Sequence, residues 1–209
     1  MITLWGRSNS TNVRKILWCL HELGLSFEHI QAGGTFAIVN TAEYLQLNPN
    51  GLVPCLQDSD FTLWESHTIL RYLAEKYGQN SLFIADMVQR HDAEKWMDWC
   101  LSSMSPMFKT IMLHAVKLPE EHRNLALLSQ AIQELEAKLM LLDQHLQQRH
   151  FIAGKHFSIS DIAAGSYFYT WKTLALPHQS AQKNNFPSLD AWFERLSKRP
   201  AFQTALLGQ

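Results

Sequence analysis

The sequence predicts a two-part fold: a mixed α/β domain over residues 1–78, a linker over 79–85, and an all-helical domain over 86–209. Three observations predict it. Up to Tyr77, short apolar runs suited to strands alternate with helical periodicity, in the order βαβαββα. Gly78-Gln79-Asn80-Ser81 then breaks the pattern. From Asp86 onward the apolar residues recur only at helical spacing.

Each element has its own local reason. Ile2 to Trp5 is an apolar run closed by Gly6, which reads as a buried strand. Arg7-Ser8-Asn9-Ser10-Thr11-Asn12 is a polar loop rich in helix-capping residues, and Val13, Ile16, Leu17 and Leu20 mark an amphipathic helix ending near Gly24. Ser26 to Ile30 supplies a second strand. Gln31 to Thr41 is an irregular loop containing Gly33-Gly34, and Glu43 to Leu47 is a short helical turn. Asn48-Pro49-Asn50-Gly51 is a turn, because Pro presets φ and Gly tolerates positive φ. The strand that follows meets Pro54 at once, which places it at a boundary or an edge; a cis Val53-Pro54 bond would leave the Val53 amide and carbonyl free. Asp58-Ser59-Asp60 turns the chain into Phe61-Thr62-Leu63-Trp64. Glu65-Ser66 then opens a helix carrying Ile69, Leu70, Tyr72 and Leu73.

In the second part, Trp96, Trp99, Cys100, Met104, Met107, Phe108 and Ile111 lie on a helical stretch from Asp86 to about Val116, which Pro106 should bend or divide. Leu118-Pro119 is expected to restart a long helix with Leu125, Leu128, Ile132, Leu135, Leu139, Leu142 and Leu146 as its stripe. Ser158-Ile159-Ser160-Asp161 fits a capping box; on that basis alone Asp161→Ala costs about 0.5–2 kcal/mol. Leu189 to Leu196 forms the last expected helix, stopping before Pro200.

Composition narrows the function. A net charge of −1, with no basic segment in either part, argues against nucleic acid and against an anionic membrane surface. The ten His are scattered without metal-ligand spacing, so no metal is expected. Three distant cysteines (Cys19, Cys55 and Cys100) without a Cys-x-x-Cys suit buried, reduced thiols. The N-terminal residues lack the charged flank and apolar run of a signal peptide, and no apolar run has membrane-spanning length. A cytoplasmic protein is the expectation.

The first part, with its βαβαββα order, resembles a thioredoxin-like domain. Asn48-Pro49, Gly51, Val53-Pro54 and Glu65-Ser66 leading into Ile69 and Tyr72-Leu73 resemble the glutathione-binding half of a soluble glutathione transferase. The capped helix at Ser158–Asp161 is similar to one in that family's helical domain, so the resemblance spans nearly the whole chain. It implies an enzyme that joins the glutathione thiolate to small hydrophobic electrophiles or uses it on peroxides. An isomerase or dehalogenase on the same scaffold, and a binding module without turnover, are the alternatives.

The resemblance also implies roles. The Val53 backbone, held by Pro54, pairs with the cysteinyl unit; Ser66 takes the γ-glutamyl carboxylate and Glu65 the ammonium. A thiol is a poor nucleophile at neutral pH, and each unit by which its pKa falls corresponds to about 1.4 kcal/mol of thiolate stabilisation. Ser10-Thr11-Asn12-Val13-Arg14 resembles the serine-type pattern and the hydroxyl-and-asparagine segment of a bacterial class. This places Ser10 first and Asn12 second as donors to sulfur, with Ser8 open. The alternative role for Ser10 or Asn12 is capping the first helix. The Pro usual in that loop is missing. Leu52 stands where many relatives carry Lys, leaving Asn50, Gln46 or Arg7 for the glycyl carboxylate. Trp96, Trp99, Met104, Met107, Phe108 and Ile111 could wall the electrophile, although packing into the core accounts for most of them. A homodimer through the Glu65 helix and the helices after Asp86 is implied as well.

Overall fold

The computed structural model describes residues 1–79, 81–174, 176 and 185–208. Its first part is a four-stranded mixed sheet. The strands are β1 (Ile2–Trp5), β2 (Phe27–Ile30), β3 (Cys55–Asp58) and β4 (Phe61–Trp64), in spatial order β2-β1-β3-β4. β1 runs parallel to β2, pairing Leu4 with His29, and antiparallel to β3, pairing Leu4 with Leu56. The parallel pair needs a crossover, which α1 (Thr11–Glu22) supplies. α2 (Ala42–Leu47) and α3 (Ser66–Tyr77) complete the expected βαβαββα order. Asp58, at the hairpin, accepts from Tyr72 Oη (2.8 Å), Tyr77 Oη (2.6 Å) and Lys76 Nζ (2.7 Å), which ties the sheet edge to α3.

The second part is helical: α4 (Met87–Trp99), α5 (Ser105–Met112), α6 (Leu125–Leu146), α7 (Ile159–Thr173), α8 (Pro187–Ser197) and α9 (Pro200–Phe202). Asp86 caps α4 by accepting from Gln89 N–H at 2.7 Å. The expected break at Pro106 takes the form of a π-helical turn at Cys100–Met104. It lets Pro106 enter the first turn of α5, where its missing N–H costs nothing. Two expectations shift. α6 begins at Leu125 rather than at Pro119, because Asn124 accepts from Leu127 N–H and provides the cap; Glu120–His122 is a separate 3₁₀ turn. The helix over Leu189 to Leu196 does stop before Pro200, since α8 ends at Ser197, but it is not the last. Proline opens α9, which continues through a π turn at Gln203–Leu207. No described helix is long and apolar enough to cross a membrane.

One apolar core runs through both parts. α1 sits at its centre, packed against α3 on one side and α7 and α9 on the other. Trp18 is fully buried and meets Phe202 edge-on at 5.0 Å. Gly165 on α7 makes this approach feasible, since a Cβ there would lie 2.8 Å from Leu196 and 3.1 Å from the Trp18 ring. Glu22 closes the end of α1: it accepts from Trp18 Nε1 at 2.9 Å and from both Arg199 donors at 2.6 and 2.7 Å.

The Ser158–Asp161 box is present and fully buried. Asp161 does more than cap. Its carboxylate accepts from Ser158 N–H (2.9 Å) and Oγ–H (3.2 Å), from Ile152 N–H (2.8 Å) and from Trp192 Nε1 (2.9 Å). It therefore pins the segment before α7 and the middle of α8 to one point.

Candidate functional site

The start of α3 faces the β3 approach and the first turn of α1 across a small cleft. Asn12, Val53, Pro54, Glu65 and Ser66 all line it. Asn48, Asn50, Leu52 and Trp64 form its remaining wall. Residues predicted from three separate stretches of sequence are thus brought together.

The backbone of this cleft is held from beneath. The Leu52 carbonyl accepts from Tyr44 Oη at 2.6 Å and Asn48 Nδ2 at 2.8 Å, and the Asn48 Oδ1 accepts from the Asn50 amide at 3.1 Å. Gly51, at φ 62°, makes the turn between them. The Val53-Pro54 bond is cis. No backbone hydrogen bond among the described residues uses the Val53 N–H or C=O, so an extended edge faces the cleft. Glu65, at φ 72°, is exposed and precedes the helix without capping it. Ser66 is the first helical residue and is 2% exposed. The first intrahelical bond of α3 runs from Ile69 N–H to the Glu65 carbonyl, leaving the amides before it pointing out of the helix start.

At the opposite wall, Ser10 and Asn12 part company. Ser10 is the residue before α1; its carbonyl accepts from Arg14 N–H, its hydroxyl makes no capping bond, and it does not line the cleft. Thr11 Oγ1 turns away to Thr170 Oγ1 at 2.8 Å, and Ser8 is exposed, with its amide on Gln31 Oε1. Asn12 alone of the loop candidates reaches the cleft. Of the glycyl-end candidates, Asn50 lines it and Arg7 and Gln46 do not. None of the six apolar residues from Trp96 to Ile111 lines it either. Met104, Phe108 and Ile111 are core residues, and Trp96 meets Trp99 edge-on and lies tilted against His145.

The sequence reading passed over Lys15, which lies directly behind the cleft and is fully buried. Its Nζ donates to Asn12 Oδ1 at 2.9 Å and lies 2.9 Å from His67 Nε2 and 3.5 Å from Ser66 Oγ. The Tyr167 ring covers it, 4.2 Å from ring centre to nitrogen. Burial away from water pushes the amine down to about 7, against smaller opposing effects of Cys100 and Glu65. The same burial, with Lys15 and Arg71 nearby, holds His67 neutral by lowering it to about 2. A neutral His67 accepts through Nε2, so its proton sits on Nδ1. The one local hint of Lys15 is that it follows Asn12 by three residues beside Ile16 and Cys19, which does not by itself distinguish a buried lysine from a solvated one.

No group of three or more His, Cys, Asp or Glu that could hold a metal occurs among the described residues. The three cysteines are free and buried; burial lifts Cys55 to about 11 and Cys100 to about 12. They are inert thiols rather than nucleophiles.

Residues 1–75 match the family description "Glutathione S-transferase, N-terminal domain", and residues 112–195 match "Glutathione S-transferase, C-terminal domain". The chain is 41% identical to Glutathione S-transferase GstB of Escherichia coli K12, over 99% of this chain and 98% of that one. It superimposes on the theta class glutathione S-transferase of Xanthomonas axonopodis pv. citri, solved with glutathione bound. That pair has a TM-score of 0.91 and 38% identity, covering 99% and 97% of the two chains. Ure2p5 of Phanerochaete chrysosporium, cocrystallised with 1-(S-glutathionyl)-2,4-dinitrobenzene, superimposes at a TM-score of 0.87 with 26% identity, covering 99% and 93%.

Proposed function

The chain belongs to the glutathione S-transferase family, and from that premise we propose that it conjugates the glutathione thiolate to small hydrophobic electrophiles in the cleft between α1 and α3. The observation that carries the reading is the convergence of the Val53 backbone, the start of α3 and Asn12 on that cleft.

The tripeptide would bind by two backbone devices. Val53 N–H and C=O, unused by the protein, pair with the cysteinyl unit as an added strand. The amides at the start of α3, with the Ser66 hydroxyl, take the γ-glutamyl carboxylate, and the helix dipole favours that negative charge. Glu65 lies beside them to meet the ammonium group. Asn50 fits the glycyl end better than Arg7 or Gln46 because it lines the cleft.

The sulfur then lies toward the first turn of α1. Asn12 ranks ahead of Ser10 as its donor, since Asn12 lines the cleft and Ser10 does not. A hydrogen bond from the Asn12 amide favours the thiolate over the thiol. The thiolate attacks the electrophilic carbon, the leaving group departs with the displaced electron pair, and the thioether product is released. The electrophile would rest against the helical part. Activity on peroxides and a cytoplasmic setting belong to the same proposal.

The test measures glutathione binding and turnover of an aryl halide such as 1-chloro-2,4-dinitrobenzene. Ser66→Ala should weaken glutathione binding by about 1.5–3 kcal/mol, the worth of a charge-assisted bond. The rate at saturation should change less, while Asn12→Ala should show the reverse pattern. Absence of glutathione binding by the unaltered protein would overturn the proposal; binding without turnover would reduce it to a binding module.

A homodimer completes the reading. Exposed Phe61, Trp64, Met87 and Val88, at the hairpin and the start of α4, are apolar surface suited to a second copy. A mass near 24.1 kDa by light scattering at micromolar concentration would exclude it.

A further inference from the structure

A buried ammonium adjoining both ends of a cleft is costly, and its placement calls for an account. An ammonium group only donates, so the Asn12 atom 2.9 Å from Lys15 Nζ is necessarily the carbonyl oxygen. The other end of that carboxamide is the NH₂ group, for which no hydrogen bond is found among the described residues. Asn12 lines the cleft, so its donor end is available there. Without Lys15 the amide could turn over and offer its oxygen instead. That would repel a thiolate.

The remaining surroundings of Lys15 keep it in place. Two more donors point to His67 Nε2 and Ser66 Oγ, both on α3, and Tyr167 of α7 covers the last side with its ring. The titratable groups near the ammonium are few. His67 is neutral, Tyr167 and Cys100 are each raised to about 12 by burial, and Glu65 is exposed at the cleft. No carboxylate is within ion-pairing distance of Lys15 among the described residues. Its positive charge is therefore not cancelled locally, and an anion in the cleft gains from it.

We infer that Lys15 is the positioning residue of thiol activation: it fixes the Asn12 amide with its NH₂ toward the sulfur and lends a buried positive charge that favours the thiolate through the intervening amide. This rests on the reading of the cleft as a glutathione site. The only bond broken is S–H, whose proton leaves to solvent while the electron pair stays on sulfur. Whatever fraction of Lys15 is unprotonated in the free protein takes up a proton as the thiolate forms, so on balance fewer protons than one reach solvent. The amine, near neutrality in the free protein, becomes more firmly protonated once the thiolate forms, because each charge favours the other. The thiolate and Lys15 are thus linked in their titration, although Asn12 lies between them.

The experiment titrates the thiolate absorbance of the enzyme–glutathione complex in the parent, in Lys15→Met and in Lys15→Arg. Binding of S-methylglutathione, which lacks an ionisable thiol, is measured in parallel. Lys15→Met should raise the pKa of the bound thiol by about one unit, a tenfold loss in the thiolate-to-thiol ratio. S-methylglutathione affinity should stay within about threefold, and Lys15→Arg should recover part of the thiol shift. An unchanged thiol pKa in folded Lys15→Met overturns the inference. A second measurement needs no variant: NMR titration of the parent carrying ¹³Cε-labelled lysine. One lysine should titrate near neutrality and move up when glutathione binds, yet move less with S-methylglutathione. If every lysine titrates near 10, or both ligands shift it equally, the inference falls. If neither ligand binds the parent, the reading of the cleft falls and takes the inference with it.

Discussion

Two fully buried ionisable side chains divide this molecule between them, Asp161 in the helical part and Lys15 beside the cleft. Burial disfavours the charged form of each, raising Asp161 to about 6 and lowering Lys15 to about 7. The surroundings then diverge. Four donors converge on the Asp161 carboxylate, all from the protein, and no room is left for a ligand. Lys15 has one amide, one hydroxyl and one neutral imidazole, and it backs onto an open cleft. A charge satisfied from every side holds a structure together. One left partly uncompensated beside solvent is available to something that arrives later.

The largest test of this contrast is Asp161→Ala. A capping box alone would be worth about 0.5–2 kcal/mol. The structure raises the expectation to about 3–9 kcal/mol, because the buried donors of Ile152, Ser158 and Trp192 each lose a partner at about 1–3 kcal/mol. Denaturant unfolding gives this number directly, and glutathione affinity should be unchanged in the folded fraction. The pH dependence has a definite sign. A carboxyl with a raised folded pKa contributes most where it is protonated in both states, and that part fades as pH rises through about 6. The gap between parent and variant should accordingly be widest below pH 4 and narrow toward pH 7. A gap that widens across that range would break the comparison.

Lys15→Met should have the smaller effect on stability, and it should tend to favour the variant. An amine whose folded pKa lies below its unfolded value costs most where both states are charged. The parent therefore gains stability as pH rises from about 7 toward 10, while the variant lacks that gain. Relative to the parent, Lys15→Met should do best below pH 7 and lose its advantage toward pH 10. Thermal unfolding across that range checks the trend. A variant that is more stable yet activates the thiol less well would place Lys15 among residues whose function is held at a cost in stability.

Local chemistry made much of the cleft legible. Val53-Pro54, Gly51 and Glu65-Ser66 declare themselves because a turn, a proline and a helix start are properties of neighbouring residues. Asn12 was legible as a candidate but not as the residue that reaches the cleft, since ranking it against Ser10 needs the direction of the first turn of α1. Lys15 was hidden for a different reason. A lysine in a helix reads as solvated until one knows that α3 and α7 close over that face, and those helices come about 50 and 150 residues later. The extra bonds to Asp161 were hidden likewise, for Trp192 lies 31 residues beyond it. Pro200 marked the end of α8 correctly, while the helix it opens went unread because too few residues follow it to show a period.

The placement of α1 at the centre of the shared core has a consequence for how the protein is made. The segment bearing Asn12 and Lys15 is synthesised well before the residues it packs on: Trp18 and Glu22 wait for Phe202 and Arg199, the latter 177 residues downstream of Glu22. Until those arrive, a sheet and helices already able to form must keep a tryptophan-bearing apolar face uncovered. Contacts so distant along the chain slow folding and prolong that exposure. The apolar face of α1 thus stays open to other chains until the C-terminal helices have been made.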